Sequence, residues 1–97
     1  MYYLLMYDVV PDYVERRMPF RPEHLSLVRA HYDRGELVMA GPFGDPVEGV
    51  QFVFKCDDAS IVEQFAREDP YVKNGVAAAW RVLPWALVFG GDSPPPV

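Results

Sequence analysis

Two segments far apart in the sequence carry the residues most capable of chemistry. In the first segment, Arg17 and Arg21 precede His24 at the predicted start of a helix. A helix N-terminus and two arginines disfavour a positive charge on the imidazole, and the neutral imidazole is the form that accepts a proton. His24 is therefore a candidate general base, with the two arginines as candidate anion-binding groups. The alternative is a surface histidine without a role.

The second segment ends a predicted helix on a carboxylate, Asp69, which is followed at once by Pro70. The helix dipole is negative at this end and disfavours a carboxylate, and a residue placed against its local electrostatics is often placed for function. Two interpretations stay open for Asp69. It either belongs to a site or caps the turn into Tyr71 through a local side-chain bond. Tyr71 in turn either directs its hydroxyl into a pocket or packs in the core.

Other residues give weaker signals. Asp8 ends the first predicted strand and is a candidate for a pocket at that end of the sheet, with a turn residue as the alternative. His31 follows His24 by seven residues, but no third ligand stands at a suitable spacing, so no metal site is predicted. The glycines match no phosphate-binding pattern, and no cofactor is predicted.

Composition limits the class of protein. The 97 residues, half of them hydrophobic, suit one compact domain. A formal net charge of −5 argues against nucleic acid and anionic membrane as partners, because both demand clustered Lys and Arg. The single cysteine, Cys56, can form no internal disulfide, and no apolar run is long enough to span a bilayer. These features predict a cytoplasmic protein.

Patterning and helix breakers predict the element order β-α-β-β-α-β, which is that of the ferredoxin-like fold, an α+β fold with a four-stranded antiparallel sheet. Strands are predicted over residues 1–10, 36–40, 50–55 and 76–83. A short helical turn over 11–18 precedes a helix over 22–34, and the second helix runs from about 58 to 69. Residues 1–89 are expected to form a single domain, and residues 90–97 a flexible Gly/Pro-rich tail.

The apolar pattern also predicts which faces are buried. In the first helix, Leu25, Val28 and Tyr32 are spaced at i, i+3 and i+7 and are expected to face the core. The first strand is apolar on both faces, whereas two helices can cover only one face of the sheet. The open sheet face is therefore expected to form a homodimer. The alternative is that the tail or a long loop covers this face.

Several of these segments together resemble the YciI-like, or YCII-related, family. The matching segments span residues 1 to about 84 and are Met1-Tyr2-Tyr3, Glu15-Arg16-Arg17, Arg21 to His24-Leu25, Gly35-Glu36-Leu37 leading to Ala40-Gly41-Pro42, and Asp69-Pro70-Tyr71-Val72 with Gly75-Val76. The resemblance implies a dimeric ferredoxin-like α+β barrel. It also implies a His–Asp active site, which falls on His24 and Asp69.

The family is similar to cofactor-free enzymes that act on small aromatic or quinone-like compounds, including dehydrochlorinase-type chemistry. The expected function is thus a small cofactor-independent lyase or isomerase, in which His24 is the general base and Asp69 orients it. The expected substrate-binding residues are Arg17, Arg21, Tyr71 and Asp8. The alternative function is a non-catalytic dimeric module that binds a small ligand or a partner.

The expected direction of the helices speaks against the simplest form of this pairing. Two helices on one sheet face are expected to run parallel to each other. The start of the first helix, with His24, and the end of the second, with Asp69, would then lie at opposite ends of the sheet. Two alternatives would still bring them together: the turn at Pro70 folds Asp69 back towards the pocket, or the partner subunit supplies one member of the pair.

Overall fold

The computed structural model describes residues 1–91. Its elements in chain order are β1 (Tyr2–Val9), α1 (Tyr13–Arg16), a 3-10 turn (Met18–Phe20), α2 (Arg21–Asp33), β2 (Leu37–Phe43), β3 (Gly49–Lys55), α3 (Ala59–Glu68), α4 (Pro70–Lys73) and β4 (Ala77–Trp85). The strands form one antiparallel sheet in the order β2-β3-β1-β4. This confirms the predicted ferredoxin-like fold. Residues 92–97 of the predicted tail lie outside the described residues.

No helix within residues 1–91 is long and apolar enough to cross a membrane.

Both outer strands extend beyond their predicted ends. The sequence placed the end of the second strand at residue 40 and the end of the fourth at residue 83, whereas the structure continues these strands to Phe43 and Trp85. Each extension contains a proline, Pro42 or Pro84. Proline cannot donate to a strand ladder, but an edge strand has one side without a partner strand and tolerates it. The order of the sheet puts β2 and β4 at the edges.

The alternation of β1 separates the two faces of the sheet. Tyr3, Leu5 and Tyr7 point towards the helices and are buried in the core. The core is strongly aromatic: the ring centroids of Tyr7 and Phe52 lie 4.8 Å apart, and Phe52 also contacts the fully buried Phe65 of α3. The helix-facing side of the sheet therefore forms the single core beneath α2 and α3.

The buried face of α2 differs from the prediction. Leu25 and Tyr32 are 43% and 57% exposed, whereas His24 and His31 are 7% and 6% exposed. Buried imidazoles need hydrogen-bond partners, and each of these two rings has a carboxylate partner. His31 Nδ1 lies 2.8 Å from Glu36 Oε1, and the partner of His24 is described below. Of the predicted apolar stripe, Val28 packs against the core as expected, whereas Leu25 and Tyr32 do not, because the paired histidines occupy neighbouring positions that face the core.

The two main helices are antiparallel, so the prediction of parallel helices is wrong. In a βαβ unit, the helix runs opposite to the strand that precedes it. The strands that precede α2 and α3 are β1 and β3, and these two strands pair antiparallel. The helices are therefore antiparallel to each other, and the start of α2 lies at the same end of the sheet as the end of α3.

The side of the sheet away from the helices, called the open face below, carries a row of apolar side chains with one from each strand. In register from β2 to β4 these are Met39, Val53, Leu4 and Leu83. Met39 and Leu83 are 63% and 41% exposed. Val53, near the centre of the row, is only 5% exposed, so the accessible apolar surface lies mainly at the two outer members. Beyond β4, Gly91 lies against the ring of Tyr2 at one end of this face.

Candidate active site

His24 and Asp69 form a buried pair. The Nδ1 atom of His24 lies 2.8 Å from Oδ1 and 3.0 Å from Oδ2 of Asp69, which is fully buried. A carboxylate only accepts hydrogen bonds, so Nδ1 carries the ring hydrogen, and in the neutral ring Nε2 holds the free lone pair. His24 lines a cavity, and its Nε2 has no hydrogen-bond partner within residues 1–91. The lone pair is thus available to a bound molecule.

Prolines set the position of both residues. Pro22 stands in the first turn of α2, where its missing N–H costs no helix bond, and His24 follows it. Helix α3 ends at Glu68, Asp69 is extended, and Pro70 is the first residue of α4. The Asp69 side chain accepts the Tyr71 N–H at 3.0 Å. Both interpretations of Asp69 are therefore compatible in space, because the same carboxylate caps α4 and bonds to His24.

Tyr71 fixes the plane of the imidazole. Its ring stacks on His24 with the centroids 3.8 Å apart and the planes 6° apart, and Phe52 meets His24 edge-on. Burial raises the pKa of Tyr71 to about 12, while Arg17 and Arg21 oppose this shift. The Tyr71 hydroxyl therefore keeps its proton at neutral pH and can donate a hydrogen bond to a ligand.

The cavity has a volume of about 210 Å³. Pockets for drug-sized ligands are about 300–1,000 Å³, so this volume suits a molecule with a single ring. The lining combines aromatic and aliphatic walls with two guanidinium groups and one imidazole: Tyr13, Arg17, Arg21, His24, Leu25, Val28, Ala40, Gly41, Pro42, Val50, Phe52 and Tyr71.

Arg17 has an unused donor at this cavity. Its Nη1 donates to the Tyr13 hydroxyl at 3.3 Å, and its guanidinium carbon lies 5.0 Å from the centre of that ring. Its Nε is buried and has no hydrogen-bond partner among the described residues. A buried unpaired donor is costly, and the guanidinium charge in the cavity lining favours an anionic oxygen on a bound molecule. Arg21 is exposed and contributes a second positive charge to the cavity lining.

The structure does not bring Asp8 to this site, whereas Asp69 reaches the cavity lining through its bond to His24. Asp8 is exposed, and the alternation of β1 directs it away from the helix-facing side that holds its neighbour Tyr7. Within the described part of the chain, no group of three His, Cys, Asp or Glu side chains is placed to hold a metal ion.

The sequence reasoning missed two tyrosines, Tyr7 and Tyr13. Tyr13 lines the cavity beside Arg17. The hydroxyl of Tyr7 donates to Asp69 Oδ2 at 2.7 Å, and burial together with the Asp69 charge raises the pKa of Tyr7, so this group stays protonated. A signal for Tyr7 was present, because a tyrosine on the buried face of a strand needs a polar partner for its hydroxyl.

Comparison with a known structure supports the fold. The 5-chloro-2-hydroxyhydroquinone dehydrochlorinase (TftG) from Burkholderia phenoliruptrix AC1100, solved in complex with 2,5-dihydroxybenzoquinone, superposes with a TM-score of 0.72. The superposition covers 88% of this chain and 93% of that chain, at 22% sequence identity. At this identity the similarity establishes a shared fold.

Comparison of sequences establishes the family. Protein YciI of Escherichia coli O6:H1 is 30% identical over 98 residues, and an uncharacterized protein of Haemophilus influenzae is 29% identical over the same length. Both matches cover 92% of this chain and 100% of the relative. The family profile described as the YCII-related domain matches residues 1–86. The chain belongs to the YCII-related family.

Proposed function

We propose that this protein is a small cofactor-independent enzyme of the lyase or isomerase type, with His24 as its general base. The observation that carries the proposal is the bond from His24 Nδ1 to the buried Asp69 carboxylate, because it leaves the Nε2 lone pair for the cavity. A base held in this way within reach of a substrate contributes about 10²–10⁴-fold to a rate.

In the proposed reaction, Nε2 of His24 takes a proton from the substrate. The electron pair left behind moves onto a conjugated oxygen and forms an enolate or phenolate, whose charge Arg17 and Arg21 stabilise. In a lyase reaction, the pair returns to form a new double bond as a leaving group departs as an anion. In an isomerase reaction, the His24 imidazolium returns the proton to a different substrate atom. Both routes balance without an added oxidant or reductant.

The proposed substrate is a small aromatic or quinone-like compound with an ionisable oxygen. The volume of about 210 Å³ fits one ring, Phe52 and Tyr71 offer aromatic walls, and the buried Nε of Arg17 lacks a partner among residues 1–91. Because the protein with the shared fold is a 5-chloro-2-hydroxyhydroquinone dehydrochlorinase, chlorinated hydroxyhydroquinones are the first compounds to test.

The experiment incubates the protein without oxygen with 5-chloro-2-hydroxyhydroquinone and a panel of related hydroquinones and quinones. Chloride release and the absorbance of the quinone product report turnover. The variant is His24→Gln, and the matched control is His31→Gln. His31 lies seven residues further along α2, is equally buried and is also paired with a carboxylate, but it does not line this cavity.

We expect His24→Gln to lower kcat/KM by about 10²–10⁴-fold and His31→Gln to retain the wild-type value. Turnover that survives His24→Gln would exclude this residue as the base. Thermal stabilisation by a compound that is never converted would instead favour the alternative, a non-catalytic ligand-binding module. A ligand at 100 times its Kd adds about 2.7 kcal/mol to stability, which a melting experiment detects.

We also propose that the protein is a homodimer formed through the open face. Support comes from the row formed by Met39, Val53, Leu4 and Leu83, whose two outer members remain well exposed. A charge buried without a partner costs several kcal/mol, so Met39→Asp and Leu83→Asp should each give monomers in sedimentation experiments.

The matched control for the dimer is Val14→Asp, which places the same charge at an exposed apolar residue of α1. Wild-type protein that sediments as a monomer at micromolar concentration would refute the dimer. Dissociation by Val14→Asp with no effect of Met39→Asp would instead move the interface away from the open face.

A further inference from the structure

Tyr7 is buried next to the site and has no place in the proposed reaction. Its side chain is fully buried, and its hydroxyl donates to Asp69 Oδ2 at 2.7 Å. It is absent from the lining of the cavity, so it does not touch a molecule bound there. The Tyr7 ring packs on Phe52 of the cavity lining, whereas its hydroxyl reaches the site through Asp69.

The Asp69 carboxylate is held at both oxygens by donors from different elements. Oδ1 accepts the Tyr71 N–H of α4, and Oδ2 accepts the Tyr7 hydroxyl of β1. The His24 ring lies between them, with Nδ1 at 2.8 Å and 3.0 Å from the two oxygens. This arrangement blocks rotation of the carboxylate and keeps it aligned with the imidazole.

The number of donors also sets how strongly Asp69 attracts a proton onto His24. Each donor stabilises part of the carboxylate charge, so less of that charge is left to favour the imidazolium. Without the Tyr7 hydroxyl, Oδ2 would be buried with His24 Nδ1 as its remaining neighbouring donor. The carboxylate would then favour the imidazolium more strongly, and the imidazolium cannot act as a base.

We propose that Tyr7 is a positioning residue that keeps His24 in its neutral, proton-accepting form by sharing the charge of Asp69. The inference rests on the proposed role of His24 as a base. Other charged and titratable groups around His24 also influence its protonation. Within residues 1–91 these are Tyr13, Arg17, Arg21, Asp69 and Tyr71. Strands β2 and β3 present apolar residues to this side of the cavity.

The first test compares Tyr7→Phe with Tyr3→Phe. Tyr3 lies on the same strand and the same buried face, but its hydroxyl contacts Met1 Sδ at 3.7 Å rather than Asp69. We expect the acid limb of the pH–activity profile to move up by about half a unit to one unit in Tyr7→Phe. The same limb should stay in place in Tyr3→Phe. An unmoved acid limb in Tyr7→Phe would overturn the proposal.

The second test needs no turnover, so it separates this inference from the proposed function. In ¹⁵N spectra, the His24 ring of Tyr7→Phe should remain doubly protonated over a wider pH range than in the wild type. Identical His24 spectra across the pH range would refute the role of Tyr7 and leave the proposed base intact. A changed spectrum in a protein that converts no compound would support Tyr7 while the proposed function fails.

A third variant covers the case in which Tyr7→Phe does not fold. Incorporation of 3,5-difluorotyrosine at position 7 keeps the ring and the hydroxyl but makes the hydroxyl a stronger donor. The expected effect then has the opposite sign, because His24 becomes harder to protonate and the acid limb moves to lower pH. A shift to higher pH, or no shift, would contradict the proposal.

Discussion

Replacing Asp69 by asparagine tests the central pair with almost no change in shape. The carboxylate accepts three hydrogen bonds, from His24 Nδ1 at 2.8 Å, Tyr7 at 2.7 Å and the Tyr71 N–H at 3.0 Å. An asparagine amide has one accepting oxygen and one donating nitrogen. If the oxygen keeps the Tyr71 N–H, the amide nitrogen occupies the Oδ2 position next to His24. It would then donate to Nδ1, and the ring hydrogen would move to Nε2.

This change of tautomer removes the lone pair from the cavity. The expected loss in kcat/KM is about 10²–10⁴-fold, the range for removal of a positioned base. The stability should fall less severely. The bonds to His24 and Tyr7 become neutral ones in which the amide nitrogen donates. At about 1 kcal/mol each, the expected cost is about 2 kcal/mol in the free energy of unfolding.

Three measurements check this reasoning: kcat/KM, ¹⁵N spectra of His24 and urea unfolding. The control is Asp33→Asn, because Asp33 is an exposed carboxylate paired with Arg29 and such pairs contribute little. Asp69→Asn protein with wild-type kcat/KM would show that the carboxylate does not orient the base. A His24 ring that keeps its hydrogen on Nδ1 in the variant would refute the tautomer argument itself.

Three further predictions follow from features around the site. Burial raises the pKa of Tyr71 from 10.0 to about 12, so the unfolded chain loses this proton at a lower pH than the folded protein. The free energy of unfolding should therefore fall as the pH rises from 10 to 12, and urea unfolding with no such fall would contradict the shift. Arg17→Gln should raise KM for an anionic substrate by about 10-fold or more, whereas the exposed neighbour Arg16→Gln should not; equal KM values would remove Arg17 from binding. Gly49→Ala would place a Cβ 2.6 Å from the Tyr7 carbonyl oxygen, and the backbone shift this requires should destabilise the fold by about 1–3 kcal/mol in thermal melts. An unchanged Tm would show that the backbone of β1 can move away at no cost.

The element order could be predicted from sequence because each strand and helix is bounded by local signals. Gly35 ends α2, Asp58 caps α3 and Pro70 separates α3 from α4, and all of these act within a few residues. The strand ends at Pro42 and Pro84 were missed for a different reason. Whether a proline ends a strand depends on the position of that strand in the sheet, and the order β2-β3-β1-β4 is not a local property.

The types of the site residues were also readable, since a histidine at a helix start and a carboxylate at a helix end are unusual placements. Their separation in space was not readable from these signals. It depends on the antiparallel pairing of β1 and β3, which reverses one helix relative to the other. The burial of His24 and the role of Tyr7 depend on Asp69, which is 45 and 62 residues away along the chain. Apolar periodicity carries no information about such partners.

The His24–Asp69 pair and the opposite wall of the cavity come from different parts of the fold. His24, Asp69 and Tyr7 sit where two helices and a central strand meet, so a substitution there disturbs the core. The opposite boundary includes Ala40 and Pro42 of β2, an edge strand with no strand on its outer side. Side chains can change along that strand with little effect on the pair. If His24 acts as the proposed base, substitutions along β2 would change which compounds fit the cavity without moving His24 and Asp69.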